Sequence, residues 1–114
     1  MATAEVSVIG LGRQSASASE YIAEMQRRLQ RQDKVGFKLN AMGTELEGKL
    51  EDILEVVRML HKVPFEAGLP RVYTVVKIDE RLDKPTQTLE DKVKSVEEQM
   101  HRSGSTFRRD RSIF

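Results

Sequence analysis

Apolar residues recur along this chain with two different periods, and the two periods alternate. A period of two marks residues 3–9, 35–41, 44–47 and 71–79 as strands, whereas a spacing of three to four in residues 20–30 and 50–60 marks amphipathic helices between them. A third helical stretch follows Thr88. The order β-α-β-β-α-β predicts an α+β fold of the ferredoxin-like type, with two helices on one face of an antiparallel four-stranded sheet and a further C-terminal helix.

Local signals set the expected ends of the helices. Ser17 begins an S-x-x-E capping box that predicts the start of the first helix, and Gly68 should end the second. Pro64 supplies no N–H and crowds the carbonyl of Leu60, so we expect a kink or an early end there. Thr88 is a typical N-cap residue before an acidic first turn. Behind it, one apolar stripe predicts a helix that docks on the domain: Leu89, Val93, Val96 and Met100.

The last predicted strand is apolar on both of its faces. Val72, Thr74, Val76 and Ile78 alternate with Tyr73 and Val75. Two helices cover only one face of the sheet, and monomers seldom expose large apolar areas. The face that carries Tyr73 and Val75 should therefore meet another subunit or form a ligand-binding surface.

Composition limits the class of protein. A length of 114 residues suits one domain. No apolar run approaches the roughly 20 residues that span a bilayer, and the first residues lack the basic and apolar regions of a signal peptide. The absence of cysteine excludes a disulfide framework, a thiolate nucleophile and cysteine-bound zinc. We expect a cytoplasmic protein without a membrane partner.

Positive charge is concentrated at the C-terminal end. Residues 1–100 carry 15 basic and 17 acidic side chains, a balance of −2, whereas residues 101–114 carry four arginines against Asp110, a balance of +3. We therefore divide the chain into a domain of residues 1–101 and a basic tail of residues 102–114, which lacks an apolar stripe and is expected to be flexible. Four arginines can neutralise phosphates, but the domain has no matching basic face, so nucleic acid is not an expected partner.

The hairpin of residues 40–48 (NAMGTELEG) is the first candidate site. Gly43 permits a positive φ and a close approach of the backbone to a ligand, and the Thr44 hydroxyl can donate and accept a hydrogen bond. The alternative is a β-hairpin whose turn simply needs a glycine.

Several short motifs together resemble those of the thiamine-binding protein family, which is related to the YkoF-type hydroxymethylpyrimidine-binding proteins. The resemblance covers residues 2–100 and consists of AEVSVI at 4–9, SASEYIA at 17–23, MGT at 42–44 with EG at 47–48, FEAG at 65–68, KIDERLDKP at 77–85 and DKVKSVE at 91–97. Two departures are Gly10, where relatives commonly have proline, and Pro64 inside the second helix.

The resemblance implies a non-catalytic homotetramer that binds thiamine or its hydroxymethylpyrimidine moiety as a ligand and uses no cofactor. An aminopyrimidine needs hydrogen-bonding groups at its edge and a flat or polarizable surface against its face, and a thiazolium cation favours a carboxylate or an aromatic ring. The candidate ligand-binding residues are Ser17, Met42, Gly43, Thr44, Glu45 and Tyr73. For Ser17 the alternative is the helix cap alone, and for Met42 it is packing in the core.

Two other classes of function stay open. A metal-dependent enzyme has little support, because His61 and His101 lie in different predicted helices and neither has the spacing of a metal-binding pair. Carboxylates in residues 79–84 suit a divalent ion, but alternating charges after a strand more often form ion pairs. A structural or regulatory oligomer without a ligand would also have an apolar outer sheet face.

Overall fold

The computed structural model describes residues 1–12, 18–83 and 88–102 of the chain. The elements are β1 (Ala2–Leu11), α1 (Ala18–Gln30), β2 (Gly36–Asn40), β3 (Gly43–Gly48), α2 (Leu50–Glu66), β4 (Arg71–Glu80) and α3 (Leu89–Arg102). The strands form one sheet in the order β2-β3-β1-β4, and each neighbouring pair is antiparallel. The predicted ferredoxin-like architecture is confirmed. Within the described ranges, no helix combines the length and apolarity needed to cross a membrane.

The two faces of the sheet differ as the period-two pattern predicts. Helices α1 and α2 cover one face, and the core between them and the sheet contains the most deeply buried side chains, among them Leu29, Leu46, Ile53, Leu60 and Val63. Strand β1 contributes Ala2, Ala4, Val6 and Val8 to this core. The opposite face, which we call the outer face, carries the residues that alternate with these.

Helix α2 does not end early at Pro64, as the sequence suggested. It continues to Glu66, and Pro64 is buried in its last turn. The chain then leaves the helix through Gly68, whose φ of 92° suits a glycine. The Gly68 N–H donates to the Phe65 carbonyl and the Leu69 N–H donates to the Pro64 carbonyl, both at 3.0 Å. This Schellman pattern satisfies the last carbonyls, so a proline in the final turn is tolerated.

The two departures from the family pattern lie against each other. A Cβ atom built on Gly10 would lie 2.3 Å from Leu69 Cδ1 and 3.1 Å from Pro64 Cβ. The Gly10 N–H also donates to the Tyr21 hydroxyl at 3.0 Å. Glycine in β1 therefore leaves room for Pro64 in the last turn of α2 and for Leu69 after the helix. Its N–H, which proline would lack, donates to Tyr21 of α1.

One arginine links the two helices that cover the sheet. Arg28 Nε donates to Glu24 at 2.9 Å, and the same guanidinium also pairs with Glu66 of α2. The Arg28 guanidinium lowers the pKa of both the Glu24 and the Glu66 carboxyl groups, with Arg27 adding to the effect on Glu24.

The hairpin turn lies one residue earlier than predicted. Asn40 pairs with Gly43, so the two-residue turn is Ala41 and Met42, and Gly43 opens β3. Positive φ angles among the described residues occur at Gly12, Gly48 and Gly68 and not at Gly43. What requires a glycine at position 43 is space, because a Cβ atom there would lie 2.8 Å from the Val6 carbonyl oxygen.

Candidate functional site

A row of four charged side chains crosses the outer face through all four strands. Lys38 of β2 is the register partner of Glu45 of β3, Glu45 is the partner of Glu5 of β1, and Glu5 is the partner of Lys77 of β4. Two carboxylates therefore stand directly opposite each other at the centre of the sheet, with a lysine on either side. Like charges in directly opposite positions destabilise a sheet, whereas the lysine on the other side of each carboxylate is a favourable neighbour, so the unfavourable pair in this row is the central one.

Helix α3 begins above the next row of the outer face. The Leu89 N–H donates to Glu47 Oε2 at 3.0 Å, and the Lys92 ammonium pairs with Asp79. Thr88 and Asp91 form a reciprocal capping box, with 3.1 Å in each direction, and its hydrogen bonds to the carboxylate lower the pKa of Asp91. The predicted start of the third helix is confirmed, and its first turn is held by β3 and β4.

The space between the beginning of α3 and the outer face is a cavity of about 490 Å³. The residues around it include the apolar Leu89 and Val93 of α3 and the charged Glu45 and Lys38 of the outer face, with Phe37 of β2 also at its edge although this residue packs against the core on the other face. A smaller hollow of about 220 Å³ shares Glu45, Leu89 and Lys92 and extends to Glu5 and Lys77. Ligand pockets for small molecules typically occupy about 300–1,000 Å³ and combine apolar walls with a few polar groups. The row of charges thus lies at the edge of a cavity of suitable size.

The cavity borders β3 at Glu45, two residues after Gly43 of the predicted hairpin site. Glu45 lies in the cavity wall, and Gly43 is on the same face about 7 Å along the strand. Met42 is 83% exposed at the turn, so it is not a core residue, and its carbonyl accepts a hydrogen bond from Ser7 Oγ at 2.7 Å. Among the predicted residues that the structure describes, Glu45 is the one that borders the cavity.

The remaining predicted residues are separated from it. Thr44 is 3% exposed on the face covered by the helices, where its hydroxyl accepts a hydrogen bond from Gln26 Nε2 at 3.2 Å. Tyr73 is 54% exposed on the outer face opposite Ile9, at the end away from α3. Ser17 lies outside the described residues.

Three of the groups considered for metal binding, His61, Asp79 and Asp83, have other partners. His61 is partly buried, with Nδ1 2.7 Å from Thr74 Oγ1 and its ring edge-to-face with Phe65. Arg81 pairs with both carboxylate oxygens of Asp83, which confirms the ion-pair interpretation of that segment. Across residues 1–12, 18–83 and 88–102, no three histidine or acidic side chains come together as metal ligands would.

Sequence reasoning missed most of the residues around the cavity. Lys38, Glu5, Lys77 and Lys92 are ordinary polar residues in their own segments, and only the strand register brings the first three into one row with Glu45. A signal was present in the alternation of β1 and β3, since Glu5 and Glu45 both fall on the predicted polar face. The pairing that sets them opposite each other cannot be read from one strand.

Comparison with known proteins gives a consistent family. The family model described as "Thiamine-binding protein" matches residues 4–97. The UPF0045 protein from the glkA 3′ region of Staphylococcus xylosus is 42% identical over 108 residues, which cover 92% of this chain and all of that protein. The UPF0045 protein YqgV of Bacillus subtilis is 42% identical over 99 residues, which cover 84% of this chain and 94% of that protein.

Solved structures share the fold. The crystal structure of MJ1052 from Methanocaldococcus jannaschii superposes with a TM-score of 0.74 at 39% identity, covering 85% of this chain and 96% of that one. A Thermotoga maritima protein provisionally assigned to thiamine biosynthesis or salvage superposes with a TM-score of 0.67 at 20% identity, covering 83% and 97%. The second likeness, at this identity, shows the fold alone.

Proposed function

Because this chain belongs to the thiamine-binding protein family, we propose that it binds thiamine, or the hydroxymethylpyrimidine moiety of thiamine, without catalysing a reaction on it. The observation that carries the proposal is the pair of opposed carboxylates, Glu5 and Glu45, at the edge of the cavity below α3. A cationic thiazolium ring beside them would offset the repulsion that the empty sheet contains.

The cavity also suits the rest of such a ligand. Leu89 and Val93 of α3 supply an apolar wall that can pack against a flat heteroaromatic ring, while lysine and glutamate side chains at the rim supply donors and acceptors. Gly43 lies on the same face and Tyr73 further across it, so both remain candidate contacts at the periphery. Thr44 would contribute only through its backbone, because its side chain points to the helix-covered face.

Calorimetric titration with thiamine and with hydroxymethylpyrimidine tests this proposal. We expect Glu45→Gln and Glu5→Gln each to weaken thiamine binding about tenfold, which corresponds to about 1.4 kcal/mol. Binding of the neutral pyrimidine should change less, because it carries no thiazolium charge. Glu55→Gln, an exposed change on α2 at the other side of the sheet, is the matched control. Unchanged thiamine affinity in both Glu5 and Glu45 variants would refute the site, and absence of binding to the unmodified protein would refute the function.

Stability gives a second readout of the same variants. Removing one of two opposed carboxylates should leave the free energy of unfolding unchanged or raise it by a few tenths of a kcal/mol. A loss of affinity accompanied by a gain in stability separates a ligand contact from a folding defect. For the unmodified protein, thiamine at about 100 times its dissociation constant should add about 2.7 kcal/mol of stability.

The proposal includes assembly as a homotetramer in the cytoplasm. An apolar patch on the outer face supports assembly, since its four side chains are all at least 38% exposed: Ile9, Leu11, Tyr73 and Val75. Sedimentation equilibrium should give four chains, and Val75→Asp should weaken assembly by placing an unpaired charge in a contact. A stable monomer at micromolar concentration would refute this part. Cell fractionation tests the location.

The same patch favours a second candidate, a structural or regulatory oligomer that binds no small molecule. An assembly of this kind would bury the patch and leave the charged cavity without a ligand. The thiamine titration separates the two candidates, because only the first predicts heat release that depends on Glu45.

A further inference from the structure

Glu47 joins the outer face of the sheet to the first N–H of α3. Its Oε2 accepts the Leu89 N–H at 3.0 Å. Its register partner on β2 is Gly36, where a Cβ atom would lie 3.1 Å from Glu47 Cγ, so the glycine leaves room for this side chain. Glu47 is half-buried and lines the cavity below α3. The carboxylate and the start of the helix therefore meet at the candidate ligand site.

The first turn of a helix attracts anions. Its first N–H groups have no partner within the helix, and the helix dipole places a partial positive charge there. Phosphate groups of ligands commonly bind at such a position. In this chain carboxylates of the protein already occupy it, because Glu47 accepts the Leu89 N–H and Asp91 accepts the Thr88 N–H. A ligand phosphate would have to displace Glu47 in order to bind the Leu89 N–H.

The charged side chains around the cavity also disfavour a second anion. The described residues that line it include two lysines and three glutamates, a balance of −1: Lys38, Lys92, Glu45, Glu47 and Glu90. Both lysines already have a carboxylate beside them, since Lys92 pairs with Asp79 and Lys38 stands opposite Glu45 in the register. A phosphate ester carries about −1.5 to −2 charges at neutral pH. Such a group would therefore enter surroundings that are already negative.

We propose that Glu47 is a specificity-determining residue of the ligand site. Its carboxylate fills the anion position at the start of α3 and so selects unphosphorylated thiamine against the phosphate esters of thiamine. This inference deepens the proposed function and rests on it. Thiamine itself brings a cationic ring, which the carboxylates attract, whereas thiamine diphosphate also brings an anionic group that competes with Glu47 for the Leu89 N–H. An unfavourable charge placed against a competing ligand is a general source of specificity.

Calorimetric titration with thiamine and with thiamine diphosphate tests this role of Glu47. We expect the unmodified protein to bind thiamine more tightly by about tenfold or more, and Glu47→Gln to reduce that preference by about fivefold. Glutamine keeps the size of the side chain and an acceptor for the Leu89 N–H, and circular dichroism checks that α3 stays helical. Glu90→Gln removes one charge beside the same cavity but not the acceptor of that N–H, so it should reduce the preference less. An unchanged preference in Glu47→Gln, or an equal reduction in Glu90→Gln, would overturn the inference.

Inorganic diphosphate separates this inference from the proposed function, because its binding needs no site for thiamine. Glu47→Ala removes the acceptor of the Leu89 N–H and leaves α3 held by the pair of Lys92 with Asp79 and by its own capping box. We expect diphosphate to bind Glu47→Ala more tightly than the unmodified protein by about tenfold. If this gain appears but thiamine binds no form of the protein, the proposed function fails and the anion position at α3 stands. If thiamine binds and the gain is absent, the proposed function stands and the role of Glu47 fails.

Discussion

Replacing Thr44 with valine removes one hydroxyl and keeps the shape of the side chain. In the structure this hydroxyl accepts a hydrogen bond from the Gln26 amide at 3.2 Å, at a position only 3% exposed and on the face covered by the helices. A neutral hydrogen bond of this kind contributes about 0.5–1.5 kcal/mol, so we expect Thr44→Val to lower the free energy of unfolding by about 1 kcal/mol. The melting temperature should fall by about 4 °C.

A double-mutant cycle assigns that loss to the hydrogen bond. Gln26→Met removes the donor with little change in volume, and the Thr44→Val, Gln26→Met double variant should be about 1 kcal/mol more stable than the two single effects predict. Urea unfolding monitored by circular dichroism gives the three free energies. Thiamine affinity, measured by calorimetry on the same samples, should stay within a factor of two or three of that of the unmodified protein.

The opposite result would refute this reasoning. If Thr44→Val left the urea midpoint unchanged and weakened thiamine binding tenfold, the hydroxyl would face the ligand, and the site would be the hairpin rather than the cavity below α3. Strand β3 would then need to turn its alternating side chains the other way. That change would move Leu46 from the core to the outer face, whereas Leu46 is fully buried in the structure.

Three further changes test the fold. Gly43→Ala should lower the free energy of unfolding by about 1–3 kcal/mol, because the new Cβ would meet a backbone carbonyl of β1 at 2.8 Å. Gly36→Ala is the control, because the atom nearest to its new Cβ belongs to a flexible glutamate side chain. Urea unfolding should show the smaller loss of stability for Gly36→Ala. Arg28 lowers the pKa of two glutamates, so its ion pairs stabilise the fold above about pH 5 and are lost as the pH falls; Arg28→Met should therefore flatten the acid side of the stability profile in thermal melts. Deletion of residues 103–114 should change neither the melting temperature nor thiamine affinity, and a fall of many degrees would identify a docking segment.

Periodicity was sufficient to predict the element order, because each strand of the sheet has one face in the core. Alternation in β1 and the stripe of Tyr21, Met25 and Leu29 in α1 both agree with the structure. Pro64 was misjudged because the proline rule considers one helix at a time. The rule considers neither the packing of Pro64 against Gly10 of β1 nor the Schellman turn that follows the helix.

Side-chain direction limited what could be predicted about the site. The motif at residues 42–44 suggested a cluster of three contacts, but adjacent residues of a strand point to opposite faces, and the Thr44 side chain accordingly points away from Gly43 and Glu45. Gly43 does not have a positive φ, so position 43 needs the small size of glycine and not its conformational freedom. Close approach to the Val6 carbonyl depends on the β1–β3 register, which no local pattern contains.

The opposition of Glu5 and Glu45 is the point where local and global preferences of this chain disagree. Every other row of the β1–β3 ladder pairs apolar or uncharged side chains with one another or with a single charge, whereas this row sets two carboxylates face to face. On both flanks of this row the charges are opposite, since Glu45 faces Lys38 and Glu5 faces Lys77, so the unfavourable pair is the central one. Natural chains tolerate such conflicts mainly where function requires them. The conflict therefore supports this row as the centre of the ligand site more strongly than cavity size does, because a cavity can result from packing alone.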